Sequence, residues 1–232
     1  MFEKISTQWI DIAPGGCQGL LALPPAGTGP GLVLFQEIFG VNAHIRAVAE
    51  QYALDGFVVL APDLFWRQAP KVQLGYEGED RDRGIGLMKK LVPEELQADV
   101  KAAVKALRAR PETAGHKAGA IGYCIGGRLA FTAAALTDVD AAVAYYGGGI
   151  HDHLQLAASI ECPMQFHYAQ NDGGIPLAAV DKVREAMGAR AEVFVYPGAT
   201  HGFNCWDRSA YHPASAMLAH GRALTFLAEK LA

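Results

Sequence analysis

Gly122-Tyr123-Cys124-Ile125-Gly126-Gly127 is the stretch that decides how this chain folds. Ala118 to Tyr123, before it, is small and apolar and reads as a short buried strand. Ile125 to Leu136, after it, has helical length and helix-forming composition. A strand turning directly into a helix through G-x-C-x-G is the nucleophile-elbow pattern, with cysteine where serine is usual. Gly122, Gly126 and Gly127 leave room for the tight turn and let the helix pack close to a neighbouring strand. Cys124 then stands at a helix N-terminus, where the dipole favours thiolate and backbone N–H groups can bind an oxyanion. The same residues also fit an ordinary Gly-rich turn holding a small buried cysteine. The rest of the chain separates the two readings.

Working outward, 232 residues with 51% hydrophobic and 19% charged side chains suffice for one α/β domain spanning residues 1–232. A net charge of −4 without a basic stripe argues against nucleic acid or an anionic membrane surface as partner. The opening MFEKISTQWI lacks the apolar core of a signal peptide, and no later run approaches the length of a membrane span. A cytoplasmic protein is expected. Cys17, Cys124, Cys162 and Cys205 are widely separated, read as reduced thiols and offer no zinc-ligand spacing. His151 and His153, with no Cys or Glu at ligand spacing nearby, read as a polar loop or helix start rather than a metal site.

Ile5 to Ile10 and Leu20 to Leu23 form two early strands. Leu32 to Gln36 is a continuous apolar run of the kind buried in a parallel sheet. Asn42 can cap a helix running to about Asp55, and Phe57 to Ala61 is the next strand. Residues 63 to 93 are irregular and read as a loop followed by a short helix, an excursion of the sort that builds pocket walls. Glu94 to Arg110 has one apolar face at helical spacing. Strands at Ala141 to Tyr146, Met164 to Ala169 and Glu192 to Tyr196 follow, with helices near Pro176 to Met187 and Ala214 to Leu231. This alternation predicts a mostly parallel sheet covered on both faces.

In such a sheet the loops after the strands share one edge. The strand ending at Ala169 leads to Asn171-Asp172-Gly173-Gly174, and the strand ending at Tyr196 leads to Thr200-His201-Gly202. The chain order Cys124, Asp172, His201 is the nucleophile, acid, histidine order of the α/β-hydrolases. An imidazole can take the thiol proton, and a carboxylate can fix its tautomer and stabilise the imidazolium. Asp63, after the strand ending at Ala61, is the rival acid and ranks lower because it precedes the nucleophile.

EIFGVN at 37–42, APDLFWRQAP at 61–70, GYCIGG at 122–127, YYGGG at 145–149, NDGG at 171–174 and HGFN at 201–204 together resemble the dienelactone hydrolase family over nearly the whole chain. The resemblance implies an α/β-hydrolase fold and cofactor-free hydrolysis of cyclic enol-lactones to oxo-acids in aromatic breakdown. It makes Cys124 the nucleophile, His201 the base and Asp172 its orienter. Glu37 would hold the resting thiol neutral, and the backbone N–H groups of Ile125 and Ile38 would form the oxyanion hole. A carboxylate at the end of the apolar run is costly to bury without a hydrogen-bond donor, which supports the role of Glu37 independently. Arg83 falls where the family holds a substrate carboxylate, a task suited to a guanidinium. The family's second such arginine is displaced here to Arg208, and aromatic positions near Leu87 and Lys90 are replaced. Tyr146 remains to touch substrate.

Dienelactone, a related carboxylated lactone or a small ester is the expected substrate of a monomer or homodimer. Two readings from other classes stand beside this one. The first is a non-catalytic ligand sensor using the same pocket. The second is a thiol redox protein using Cys124, for which Cys205 is the candidate resolving partner.

Overall fold

The computed structural model describes residues 4–232, so the first three residues of the MFEKISTQWI opening lie outside the described residues. Eight strands alternate with six α-helices: β1 Ser6–Ala13, β2 Cys17–Leu23, β3 Gly31–Phe35, α1 Ala43–Leu54, β4 Val58–Pro62, α2 Gly78–Lys89, α3 Pro93–Arg108, β5 Ala118–Tyr123, α4 Ile125–Leu136, β6 Ala141–Tyr145, β7 Met164–Ala169, α5 Leu177–Met187, β8 Ala191–Tyr196 and α6 Pro213–Leu231. The strand order is β1-β2-β4-β3-β5-β6-β7-β8. β1 and β2 pair antiparallel and join β4 antiparallel, whereas β3–β4, β6–β7 and β7–β8 are parallel. Buried on both faces, β3, β4, β5, β6 and β7 are the near-continuous apolar runs that a covered parallel sheet demands. Contacts cluster into two compact units, one ending at Gly119 and one running from Ala120 to Ala232.

In the first unit, the chain leaving β3 is held by the excursion that follows β4. Asn42 caps α1 through its Oδ1, which accepts from the Ile45 N–H at 3.2 Å, while its Nδ2 donates to the Leu74 carbonyl at 3.0 Å and to the Tyr76 hydroxyl at 3.1 Å. Gly40, at φ +80°, bridges to Gln73, and a Cβ there would meet the Val72 carbonyl oxygen at 1.9 Å. Phe39, Phe65, Val72, Leu74 and Leu87 close a small apolar core beneath these contacts. The expected short helix is the three-turn α2. Gly84 brings it against the loop after β3, since a Cβ at Gly84 would lie 2.6 Å from the Ile38 carbonyl oxygen.

The early strands begin near the expected points but extend further, to Ala13 for β1 and back to Cys17 for β2. β6 stops one residue short of expectation because Tyr146 turns to φ +35°. His151 and His153 fall at the short 3-10 turns following β6, as a polar loop.

Candidate active site

In the second unit, β5 delivers Cys124 to the N-terminus of α4 with φ +57° and ψ −120°. A non-glycine residue held there costs about 1–3 kcal/mol, which the surrounding structure must overcome. The glycines of the motif make the turn feasible. A Cβ at Gly122 would come within 2.0 Å of the Gly126 carbonyl oxygen, and one at Gly127 within 2.6 Å of the Tyr145 carbonyl oxygen. The Cys124 N–H donates to the Tyr145 carbonyl at 3.1 Å, and the Cys124 carbonyl accepts from the Gly127 N–H at 3.0 Å. The thiol is thereby fixed at the sharp corner between strand and helix, partly exposed and outside any disulfide.

Asp172 and His201 come from the loops after β7 and β8. The Gln170 N–H donates to the Tyr196 carbonyl at 3.0 Å and the Asn171 N–H to the Ala199 carbonyl at 2.9 Å, so the two loops are stitched together. Asp172 Oδ1 accepts from the Gly174 N–H at 2.9 Å, which orients the carboxylate and leaves Oδ2 for His201 Nδ1 at 2.7 Å. The Asp172 side chain is 1% exposed and that of His201 29%. Burial opposes charge on the His201 imidazole, but hydrogen bonds to Asp172 and to Cys124 outweigh it and push its pKa up to about 10. With Nδ1 committed to the carboxylate, Nε2 is the nitrogen left for the thiol. Cys124, His201 and Asp172 thus form one connected chain in which a proton leaving sulfur has a stabilised acceptor.

The rival carboxylate belongs to a different structure. Asp63, buried in the first unit, accepts from the Phe65 N–H at 3.0 Å and the Lys71 N–H at 2.5 Å, closing the loop after β4. Burial raises its pKa against those two bonds.

Other expected site residues are distributed as follows. Glu37 directly follows Gln36 at the end of β3 and is 1% exposed, a buried carboxyl rather than one at the water-facing rim. Ile38 is half-buried, and Arg83 is exposed on α2, one residue before the glycine that touches the Ile38 carbonyl. Ile125 is the first residue of α4, its N–H directly following the nucleophile. Tyr146 is fully buried and packs edge-on against His201, with ring centroids 5.0 Å apart. Arg208 folds back over the histidine loop, where a Cβ at Gly202 would lie 2.4 Å from its Nη1. Its displacement in sequence thus still leaves the guanidinium beside the residue after His201.

Sequence reasoning missed that contact and the aromatic support behind His201. Phe203 lies 5.5 Å from Tyr146 and 5.0 Å from Tyr196. The missed signal was a histidine in the apolar strand MQFHYA, since a buried imidazole requires partners. Among the described residues no helix is long and apolar enough to cross a membrane, and no group of three His, Cys, Asp or Glu could hold a metal ion.

Comparison with known proteins agrees with this architecture. The carboxymethylenebutenolidase of Pseudomonas putida is 36% identical over 229 residues, covering 97% of this chain and 96% of that one. The carboxymethylenebutenolidase of Pseudomonas sp. strain P51 is 34% identical, covering 94% and 92%. A crystal structure from Klebsiella pneumoniae superposes with a TM-score of 0.83 at 30% identity, covering 97% of this chain and 98% of that one. The dienelactone hydrolase of Anabaena variabilis, at 19% identity, shares the fold with a TM-score of 0.71, covering 99% and 100%. The fold is therefore that of the α/β-hydrolases. The model of the dienelactone hydrolase family matches residues 17–231, and the chain belongs to that family.

Proposed function

We propose that this protein is a cysteine hydrolase of enol-lactones or enol esters, with dienelactone or a related carboxylated lactone as substrate. The observation that carries the reading is the Cys124–His201–Asp172 chain, with a 2.7 Å contact between imidazole and carboxylate and a hydrogen bond between the cysteine and the imidazole. The thiol proton passes to His201 Nε2, and the thiolate attacks the lactone carbonyl carbon. The oxyanion forms beside the N–H of Ile125 at the start of α4. Collapse breaks the ring C–O bond, and the departing enolate takes the proton back from His201, leaving a thioester and neutral imidazole. His201 then removes a proton from water as its oxygen attacks the thioester carbonyl, and collapse breaks the C–S bond, expelling the Cys124 thiolate, which takes the proton back from His201. Asp172 holds the tautomer throughout and stabilises each imidazolium.

Because thiolate is itself a good leaving group, ring closure competes with hydrolysis unless the other leaving group is a stabilised anion. Enol esters are accordingly cleaved faster than alkyl esters. In the first unit, the resemblance gives Glu37 the role of resting-thiol partner, Ile38 that of a second oxyanion donor and Arg83 that of a carboxylate anchor. The burial of Glu37 supports the first of these. Arg208, beside the histidine loop, is the substrate contact of the second unit, whereas the full burial of Tyr146 works against the substrate contact expected of it. The full burial of Cys205 works against a resolving-cysteine role.

The test is steady-state hydrolysis of dienelactone and of a small enol ester at neutral pH, with Cys124→Ala as control. Turnover of either substrate, lost in the variant, supports the reading. Turnover that survives Cys124→Ala, or absence of turnover on both substrates, overturns it.

A further inference from the structure

Behind the triad, the second unit contains a buried polar chain that the proposed reaction does not use. His167, in the middle of β7, is 0% exposed. Its Nδ1 lies 2.8 Å from the Tyr196 hydroxyl and its Nε2 lies 2.8 Å from Gln165 Oε1. Gln165 Nε2 donates to Glu192 Oε2 at 2.9 Å, which fixes the amide so that its oxygen faces the histidine. An amide oxygen only accepts, so His167 must carry its proton on Nε2. Nδ1 is then an acceptor, and the Tyr196 O–H must donate to it. The Tyr196 oxygen in turn accepts from Arg222 Nη1 at 3.3 Å. Every donor and acceptor has one consistent direction, from Arg222 through Tyr196 and His167 to Gln165. Burial and the nearby Arg222 push the His167 pKa down to about 3, so the ring stays neutral and the direction is kept across the physiological range.

This chain touches His201 through packing and backbone. The His167 ring stacks on Tyr145 at 4.4 Å, and Tyr196 lies 5.0 Å from Phe203, two residues beyond His201. Phe203 and His201 both pack against Tyr146, at 5.5 and 5.0 Å. The Tyr146 N–H donates to the His167 carbonyl at 2.7 Å, holding the backbone that carries its unusual φ of +35°. The side chains of His167 and Tyr196 thus back Tyr145 and Phe203, and both of those rings pack on Tyr146, the ring that meets the His201 imidazole.

We propose that His167 and Tyr196 are positioning residues for His201: their tautomer-locked hydrogen bond fixes Tyr145 and Phe203, which seat the Tyr146 ring that holds the imidazole in line between Asp172 and Cys124. The inference rests on the triad reading given above. It deepens that reading by naming what keeps the base in place besides its carboxylate.

The experiment compares Tyr196→Phe and His167→Gln with the unaltered protein in two assays. One is the rate of Cys124 alkylation by iodoacetamide at neutral pH, followed by mass spectrometry. The other is kcat and KM on an enol-lactone. Loss of imidazole alignment lowers both the alkylation rate and kcat about tenfold, with KM changed less than about twofold. A folded variant with a lower Tm but an unchanged alkylation rate and kcat overturns the proposal. Absent hydrolysis by the unaltered protein, with alkylation still lowered in the variants, sinks the proposed function and supports the positioning role. Intact hydrolysis with unaltered alkylation in the variants does the reverse. Should neither variant fold, imidazole nitrogen shifts of the unaltered protein decide the matter. A neutral Nε2–H tautomer for His167 between about pH 5 and 9 supports the proposal, and an Nδ1–H tautomer or a titration in that range overturns it.

Discussion

His167 and His201 are joined by a single aromatic cluster, yet their basicities are driven in opposite directions. His167 is fully buried among neutral partners, Tyr196 and Gln165, and its pKa is pushed down to about 3. His201 is partly exposed, and its bonds to a carboxylate and a cysteine push its pKa up to about 10. Burial opposes the charged ring in both places; the partners decide the sign. A histidine's role in this fold is thus set by whether a charge is placed within hydrogen-bond reach, and its depth is secondary. The two aspartates that follow strands teach the same lesson. Asp172 spends one oxygen on a backbone N–H and the other on His201, while both oxygens of Asp63 accept from N–H groups of its own loop.

The sharpest way to break the comparison is to remove each histidine in turn. His201→Asn lowers kcat on the order of 10³- to 10⁴-fold, whereas His167→Gln lowers it only about tenfold. Equal losses in steady-state assays would erase the distinction between a reacting group and its support. The aspartates follow in size. Asp172→Asn lowers kcat at least about 10²-fold because the tautomer and the imidazolium lose their anchor. Asp63→Asn leaves kcat within about threefold and instead costs about 1–3 kcal/mol of stability, because an amide N–H₂ faces a backbone donor. Thermal melts paired with kinetics check both.

Arg208→Gln raises KM about tenfold for a carboxylated enol-lactone and leaves a neutral enol ester unaffected, as loss of one charge-assisted hydrogen bond requires. Identical KM changes for the two substrates would remove Arg208 from carboxylate recognition.

In the pH dependence of stability the two histidines act with opposite signs. For His201 the folded pKa exceeds the unfolded value, so its contribution is complete below about pH 6.5 and declines as pH rises toward about 10. For His167 the folded pKa lies below the unfolded one. The unfolded chain binds the extra proton, and stability falls as pH drops from about 6.5 toward about 3. Melting curves across that range should lose part of their alkaline slope in Asp172→Asn and part of their acid slope in His167→Gln. An acid limb unchanged by His167→Gln would contradict the assignment of a neutral buried ring.

The elbow, the strand alternation and the order of Cys124, Asp172 and His201 were legible because each is local: a glycine pattern, an apolar run, or a residue placed just after a strand. The Asn42 cap was legible for the same reason. The choice between Asp172 and Asp63 followed from chain order alone; which N–H groups reach each carboxylate depends on loop closure that no spacing encodes. The fit of α2 against the Ile38 carbonyl through Gly84 and the fold-back of Arg208 over Gly202 depend on three-dimensional approach, which sequence separation conceals. His167 was read as part of a strand, correctly, but its partners come from two different strands.

The close approach of Arg208 to Gly202 also sets an order for change in this loop. Gly202 has φ +85°, and any side chain there would overlap the guanidinium. Gly202→Ala therefore meets a backbone penalty and must also push the guanidinium, the far end of a flexible side chain, off the loop while the arginine is present. Once Arg208 has been shortened, only the conformational penalty remains. A lineage, natural or in the laboratory, that alters Gly202 first moves the guanidinium off its seat beside His201, so both changes arrive together, whereas one that shortens Arg208 first separates them. The glycine change depends on where the arginine goes, while the arginine change is independent of the glycine, so Gly202→Ala alone and Gly202→Ala paired with a shortened Arg208 read out different things.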